Sequence, residues 1–182
     1  MILAKAGLLR QNFGDRVTAD IVPPTLFHAV GQGALAVEIR TNDEEARRLC
    51  SALTHWQTSW RCLAERACLR VLEGGCSVPV GVDTELVPVA PLEGEGKGDV
   101  ARAARLRLVG TITAVDGQRH VEQKLERVVT SEEQAEELGA QLAKDLIEMG
   151  GREILEQVAK DREQQRATGT EAKSTDAAAS SK

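Results

Sequence analysis

Cys76 closes the run Glu65-Arg66-Ala67-Cys68-Leu69-Arg70-Val71-Leu72-Glu73-Gly74-Gly75-Cys76-Ser77-Val78-Pro79-Val80-Gly81 within a Gly-Gly-Cys-x-x-Pro loop. A single thiol presented this way is the chain's best candidate for covalent chemistry. Gly74 and Gly75 remove the Cβ atoms that would hinder a bulky group, and they permit left-handed backbone where a helix stops. Pro79 stiffens the exit. The negative end of a helix macrodipole opposes thiolate formation, and none of His28, His55 and His120 is near Cys76 in sequence. The pattern therefore fits an anchoring thiol that captures a strong electrophile once and keeps it, rather than a nucleophile that turns over. The same spacing also suits a small residue filling a tight turn.

Other residues carry weaker signals. Arg10 stands near the end of a helical stretch, where a solvated arginine is favoured by the dipole whatever else it does. Gln32 lies between Gly31 and Gly33, glycines that can also serve only a turn into a strand. Asp15, Asp20 and Glu38 show nothing beyond surface or capping use. Cys50, Cys62, Cys68 and Cys76 include no short C-x₂₋₄-C pair, and Cys62 and Cys68 do not share a helix face, so the spacing argues against zinc.

The elements that must position these residues follow from periodicity. Residues 1–12 read as helix, with Ile2, Leu3, Ala6 and Leu9 as the apolar set and Gly14-Asp15 as the turn after it. Pro23-Pro24 makes the next stretch a connection. Residues 34–39 read as a short, largely buried strand, and Asn42 or Asp43 caps a helix carrying Ala46, Leu49 and Leu53. From His55 a helix with Trp60, Leu63, Ala64, Ala67 and Val71 on one face delivers Cys76, while Arg61, Glu65 and Arg70 fall elsewhere on its surface. Residues 78–89 and 105–115 read as strands separated by a flexible Gly94–Gly98 loop. Asp116-Gly117 marks a hairpin into a strand ending about Val129. Thr130 and Glu133 have capping-box spacing for a helix whose stripe is Ala135, Leu138, Leu142, Leu146 and Met149; Gly150-Gly151 breaks it before a shorter helix with Ile154, Leu155 and Val158. Residues 167–182 lose apolar periodicity and read as a disordered tail.

Composition narrows the function classes. The chain has 182 residues, a net charge of −5 and four aromatic side chains, Phe13, Phe27, Trp56 and Trp60. No basic stripe interleaved with aromatics offers itself to nucleic acid. There is no apolar run of membrane-spanning length and no secretory leader pattern. Four dispersed cysteines suit a reducing compartment, taken here as the cytoplasm.

The Glu65–Gly81 stretch closely resembles the cofactor-attachment motif of the porphobilinogen deaminases, also called hydroxymethylbilane synthases. Ala29-Val30-Gly31-Gln32-Gly33-Ala34-Leu35-Ala36-Val37-Glu38-Ile39-Arg40 is similar to that family's Val-Gly-Gln-Gly-Ala strand entry, and Leu3-Ala4-Lys5-Ala6-Gly7-Leu8-Leu9-Arg10 to its Ala-Gly-Leu-x-Arg helix. The resemblance covers about residues 1–163, densely before Gly81. Cys68 departs from it, since the family usually has a larger residue there.

The resemblance implies an α+β chain in which a C-terminal domain of about three antiparallel strands packed with helices follows partial α/β segments of the family's first two domains. The expected divisions are 1–33 as a remnant of the second domain, 34–54 as strand and helix returning to the first, 55–163 as the cofactor-anchoring domain and 164–182 as tail. Cys76 would carry a dipyrromethane through a thioether, beside Gly75 and Arg10, while Arg10 and Gln32 would contact substrate. The implied reaction is stepwise condensation of four porphobilinogens with loss of ammonia, each passing through a methylene-pyrrolenine attacked by the growing polypyrrole. This is a transferase step of tetrapyrrole and heme biosynthesis, performed by a monomer. The catalytic aspartate and most substrate arginines would precede Met1, so this chain alone is expected to be inactive. A thiol-redox or metal protein and a non-catalytic interaction module are the competing readings of the residues.

Overall fold

Ala104–Thr113 alternates apolar and polar residues except at Val109, and it becomes the central strand of a three-stranded antiparallel sheet. The computed structural model describes residues 1–72, 78–89 and 102–164. In chain order the regular elements are helix α1 (Lys5–Arg10), α2 (Glu44–Ser51), α3 (Trp56–Val71), strands β1 (Val80–Pro88), β2 (Ala104–Thr113) and β3 (His120–Val129), α4 (Glu132–Leu146) and α5 (residues 152–164). The sheet order is β1-β2-β3, with Thr84 opposite Leu108 and Leu108 opposite Leu125. This is the α+β architecture that the resemblance implied.

The register puts Leu106, Leu108, Gly110 and Ile112 on one face, where α3 and α4 cover them. Leu106, Leu108, Ile112, Leu138, Leu142 and Leu146 are fully buried, each contributing on the order of 1.5–3 kcal/mol of burial free energy. Gly110 makes this packing possible: a Cβ there would press on the side chains of Leu142 and Leu146. On the opposite face the Arg107 guanidinium bridges Asp83 at 2.9 Å and Glu85 at 3.1 Å across the strand pair.

The hairpin forms at the expected place. Gly117, at φ 71°, donates its N–H to Ala114 at 2.8 Å, and Asp116 Oδ1 accepts from Gln118 N–H. The cap of α4 lies one residue later than expected. Ser131, in extended backbone, accepts from Gln134 N–H at 3.3 Å, and Gln134 Oε1 in turn accepts from Thr130 N–H at 2.8 Å. Two donors are thereby satisfied by one short segment. Met149 leaves the expected stripe and is half exposed, because the wide turn Ile147–Gly151 interrupts the helical period and Gly150 departs at φ 102°.

The first 55 residues behave differently. No described residue before Trp60 is buried, and Ile2, Leu35, Val37, Leu49 and Leu53 are exposed apolar side chains. The strand expected at residues 34–39 is absent. A strand exists only against a ladder partner, and among the described residues nothing pairs with this segment. Helix α1 is shorter than expected, spanning Lys5–Arg10 rather than residues 1–12, and the chain turns out of it at Asn12, before Gly14-Asp15. Asn12 takes left-handed φ 57° while Phe13 N–H reaches Leu8 C=O at 2.9 Å and Asn12 N–H reaches Leu9 C=O at 3.1 Å. Asp43 caps α2 through Ala46 N–H at 2.9 Å, as expected. The proposed loop at Gly94–Gly98 and the tail from 167 lie outside the described residues.

Among the described glycines, the least room for a side chain is at Gly139, where α4 meets α3. A Cβ at Gly139 would overlap the Ala64 carbonyl oxygen, so the two helix backbones touch there. Gly139→Ala is expected to lower stability by about 3 kcal/mol, the upper range for overpacking a core. Gly7→Ala, where a Cβ meets nothing within 4 Å, should be neutral or slightly stabilising. Chemical denaturation of the two variants checks the contrast; equal midpoints would contradict the close crossing.

Candidate functional site

The turn carrying Gln32 is docked against β1 by backbone and by shape. His28 and Val82 exchange both main-chain hydrogen bonds, at 2.9 and 2.8 Å, which extends the edge of β1 by one residue pair. Phe27 fills the space beside Gly81, where a Cβ would fall 2.5 Å from the Phe27 Cβ. Past this anchor the chain turns twice. Gln32 N–H donates to Ala29 C=O at 3.0 Å and Ala34 N–H to Gly31 C=O at 3.1 Å, with Gly31 at φ 69° and Gly33 at φ 82°. Both glycines occupy left-handed backbone that other residues adopt at a cost.

Gln32 uses its side-chain carbonyl on its own turn, accepting from Ala29 N–H at 3.0 Å. Among the described residues its amide nitrogen has no acceptor, so the donor end faces outward on an exposed residue. Arg10 occupies the last turn of α1, exposed and unpaired with any carboxylate among the described residues. A free guanidinium and a free amide donor are the right chemistry for carboxylates. No hydrogen bond or ion pair joins Arg10 to Gln32. Asp20 is committed to Lys5 at 2.6 Å, while Asp15 and Glu38 are exposed. Gly75 and Cys76 lie outside the described residues; α3 ends at Val71, five positions before Cys76.

Glu65 corrects the sequence reading. Expected on the surface of α3, it is 7% exposed. Its Oε2 accepts from Gly31 N–H at 2.7 Å and its Oε1 from the Thr84 hydroxyl. Helix periodicity marked the face toward α4, but the neighbouring face of α3 is covered as well, by β1 and the Gly31 turn. The only signal available was position, since Glu65 opens the stretch that carries the cofactor-type motif.

Two thiols on α3 have their pKa values raised. Cys68 is fully buried, and its pKa rises from 9.0 to about 12 because burial disfavours the thiolate, with the Glu65 charge adding to it. Burial and Glu65 also push the Cys62 thiol up. Among the described residues no group of three or more His, Cys, Asp and Glu could hold a metal, and no helix is long and apolar enough to cross a membrane.

Residues 1–48 match the family model described as "Porphobilinogen deaminase, dipyromethane cofactor binding domain", and residues 59–148 match that of the porphobilinogen deaminase C-terminal domain. Among curated proteins, the porphobilinogen deaminase of Schizosaccharomyces pombe is 40% identical over 86% of this chain and 44% of its own length. That of Yarrowia lipolytica is 39% identical over 87% of this chain and 42% of its own. That of Synechococcus elongatus is 42% identical over 87% of this chain and 44% of its own. The chain thus spans less than half the length of these relatives.

The thiol environments predict an order of reactivity. Cys68, with its pKa near 12, should resist iodoacetamide at pH 8 until the protein unfolds, whereas the partly exposed Cys50 and Cys62 are alkylated in the native state. Folding raises the Cys68 pKa, so its contribution to stability is full below pH 9 and is lost as pH rises toward 12. Peptide mapping after timed alkylation checks the order; native-state labelling of Cys68 as fast as Cys50 would contradict it.

Proposed function

We propose that this chain, which belongs to the porphobilinogen deaminase family, forms the primer-anchoring part of a hydroxymethylbilane synthase that condenses four porphobilinogens with release of ammonia. The observation that carries the reading is the order of the two family matches along the chain, with the Gly-Gly-Cys loop inside the second. Residues 1–33, 34–54, 55–163 and 164–182 are taken as the divisions set out above. Location in the cytoplasm and a monomeric whole enzyme belong to the same proposal.

Each residue has a limited task. Dipyrromethane, when bound, supplies the pyrrole end from which the product chain grows. Cys76 Sγ holds it through a carbon–sulfur bond that persists through turnover. Gly75 has no side chain to hinder a bulky group beside the thiol, and α3, packed into the core, leads the chain toward it. The acetate and propionate groups of pyrroles accumulate negative charge, which the Arg10 guanidinium can pair in a forked geometry. The Gln32 Nε2 donor, left free because Oε1 is used within the turn, can hold a further carboxylate oxygen. No residue of this chain is assigned the acid–base role.

In the whole protein purified from its source, intact-mass and peptide analysis should find one covalent dipyrromethane on Cys76. Cys76→Ser should remove the adduct and all porphobilinogen consumption, while Cys68→Ser leaves the adduct in place. An adduct on Cys50, Cys62 or Cys68, or none at all, would overturn the reading.

A further inference from the structure

Glu65 is a costly residue for its position. It is nearly buried, and among the described residues its only partners are a backbone N–H and a hydroxyl, with no cation near enough to pair. A carboxylate in such a place loses hydration that two neutral donors restore only in part. An apolar side chain would fill the same space without that loss. What an apolar side chain cannot do is accept the Gly31 N–H.

That N–H belongs to a turn closed by its own hydrogen bonds, including Gln32 Oε1 on Ala29 N–H, but with little to fix its tip to the rest of the fold. Its glycines at φ 69° and 82° have no side chains to pack, and a Cβ at either would meet nothing within 4 Å. The neighbouring backbone bonds at His28 fix the entrance of the turn but not its tip. Glu65 binds the tip at 2.7 Å from a helix 34 positions further along the chain. Thr84, on β1, fixes the other carboxylate oxygen and so the orientation of the group. Three segments, the turn, α3 and β1, therefore meet at one carboxylate.

We propose that Glu65 is a positioning residue, which by fixing Gly31 N–H holds the Gln32 amide donor in a set place relative to the helix that leads into Cys76. The inference rests on the substrate-contacting role given to Gln32 and the anchoring role given to Cys76 above. Loss of Glu65 undocks the tip of the turn from α3, so that the Gln32 donor moves with the turn relative to that helix, weakening capture of an anionic pyrrole without altering any group that touches it. Glu65→Gln keeps the geometry: its Oε1 accepts from Gly31 and its Nε2 donates to a Thr84 hydroxyl turned to accept.

The test follows the 182-residue chain by nuclear magnetic resonance in wild type, Glu65→Ala and Glu65→Gln, with porphobilinogen as the probe. In Glu65→Ala, Gly31 amide exchange should rise at least tenfold, the size of one charge-assisted hydrogen bond. The response of the Gln32 side-chain amide to porphobilinogen should weaken by a similar factor. Both should return to within about threefold of wild type in Glu65→Gln, a smaller change than one hydrogen bond would produce. Exchange at Leu108 and Leu125 reports whether the sheet is intact, and Glu65→Leu replaces the alanine variant if that one fails to fold. Unchanged Gly31 exchange overturns the proposal. So does a freed Gly31 with an undiminished Gln32 response, or no Gln32 response in wild type. Absence of an adduct from Cys76 in the whole protein, with the Glu65 pattern intact, would sink the proposed function alone.

Discussion

The contact of α3 with α4 at Ala64 and Gly139 sets the geometry of everything around it. With a backbone carbonyl against a residue that has no Cβ, the two helices lie close enough to share the face of one narrow sheet. Gly110 repeats the device one layer down, where the central strand yields space to Leu142 and Leu146. Small residues at both levels let large leucines interdigitate, which is how a chain with few aromatics reaches a close-packed core. Arg70 with Glu136, at 3.0 Å, adds an exposed link along the same helix pair, worth little beside the packing.

Because α4 takes one side of α3, the other side is open to a different use. There the helix presents Glu65 to β1 and to the Gly31 turn, so a single helix is bonded to the core on one flank and to the candidate binding turn on the other. Cys68, one helical turn beyond Glu65, is sealed into the core with a pKa near 12. The same helix thus shields one thiol and carries the chain toward another. Rigidity follows from the arrangement: the Gly31 turn and α3, joined through Glu65, belong to one packed body and keep a constant separation.

Local patterns were legible wherever the information needed was local. Asp116-Gly117 and the alternation before and after it define β2, β3 and their hairpin, and Gly150 marks the break after α4, because turn chemistry and period act within a few residues. The cap moved from Thr130 to Ser131 since neighbouring hydroxyls compete and only the path out of β3 decides between them. Residues 34–39 have strand composition yet form no strand among the described residues, because a ladder needs a second chain segment and composition cannot supply one. Gln32 was identified as a polar contact, but that its carbonyl closes its own turn and leaves only the amide as donor is a matter of rotamer, visible only in three dimensions.

What the sequence by itself determined is the set of elements from Trp56 onward, the family that its three motifs point to, and the thiol within the Gly-Gly-Cys loop. Those are properties of short windows, where residue type and spacing carry the physics. Tertiary structure alone decided that Glu65 faces inward and that its partners are Gly31 and Thr84. The reason is separation along the chain: Glu65 is 34 positions from Gly31 and 19 from Thr84, and a helical period reports which face a residue occupies but never what comes to cover it.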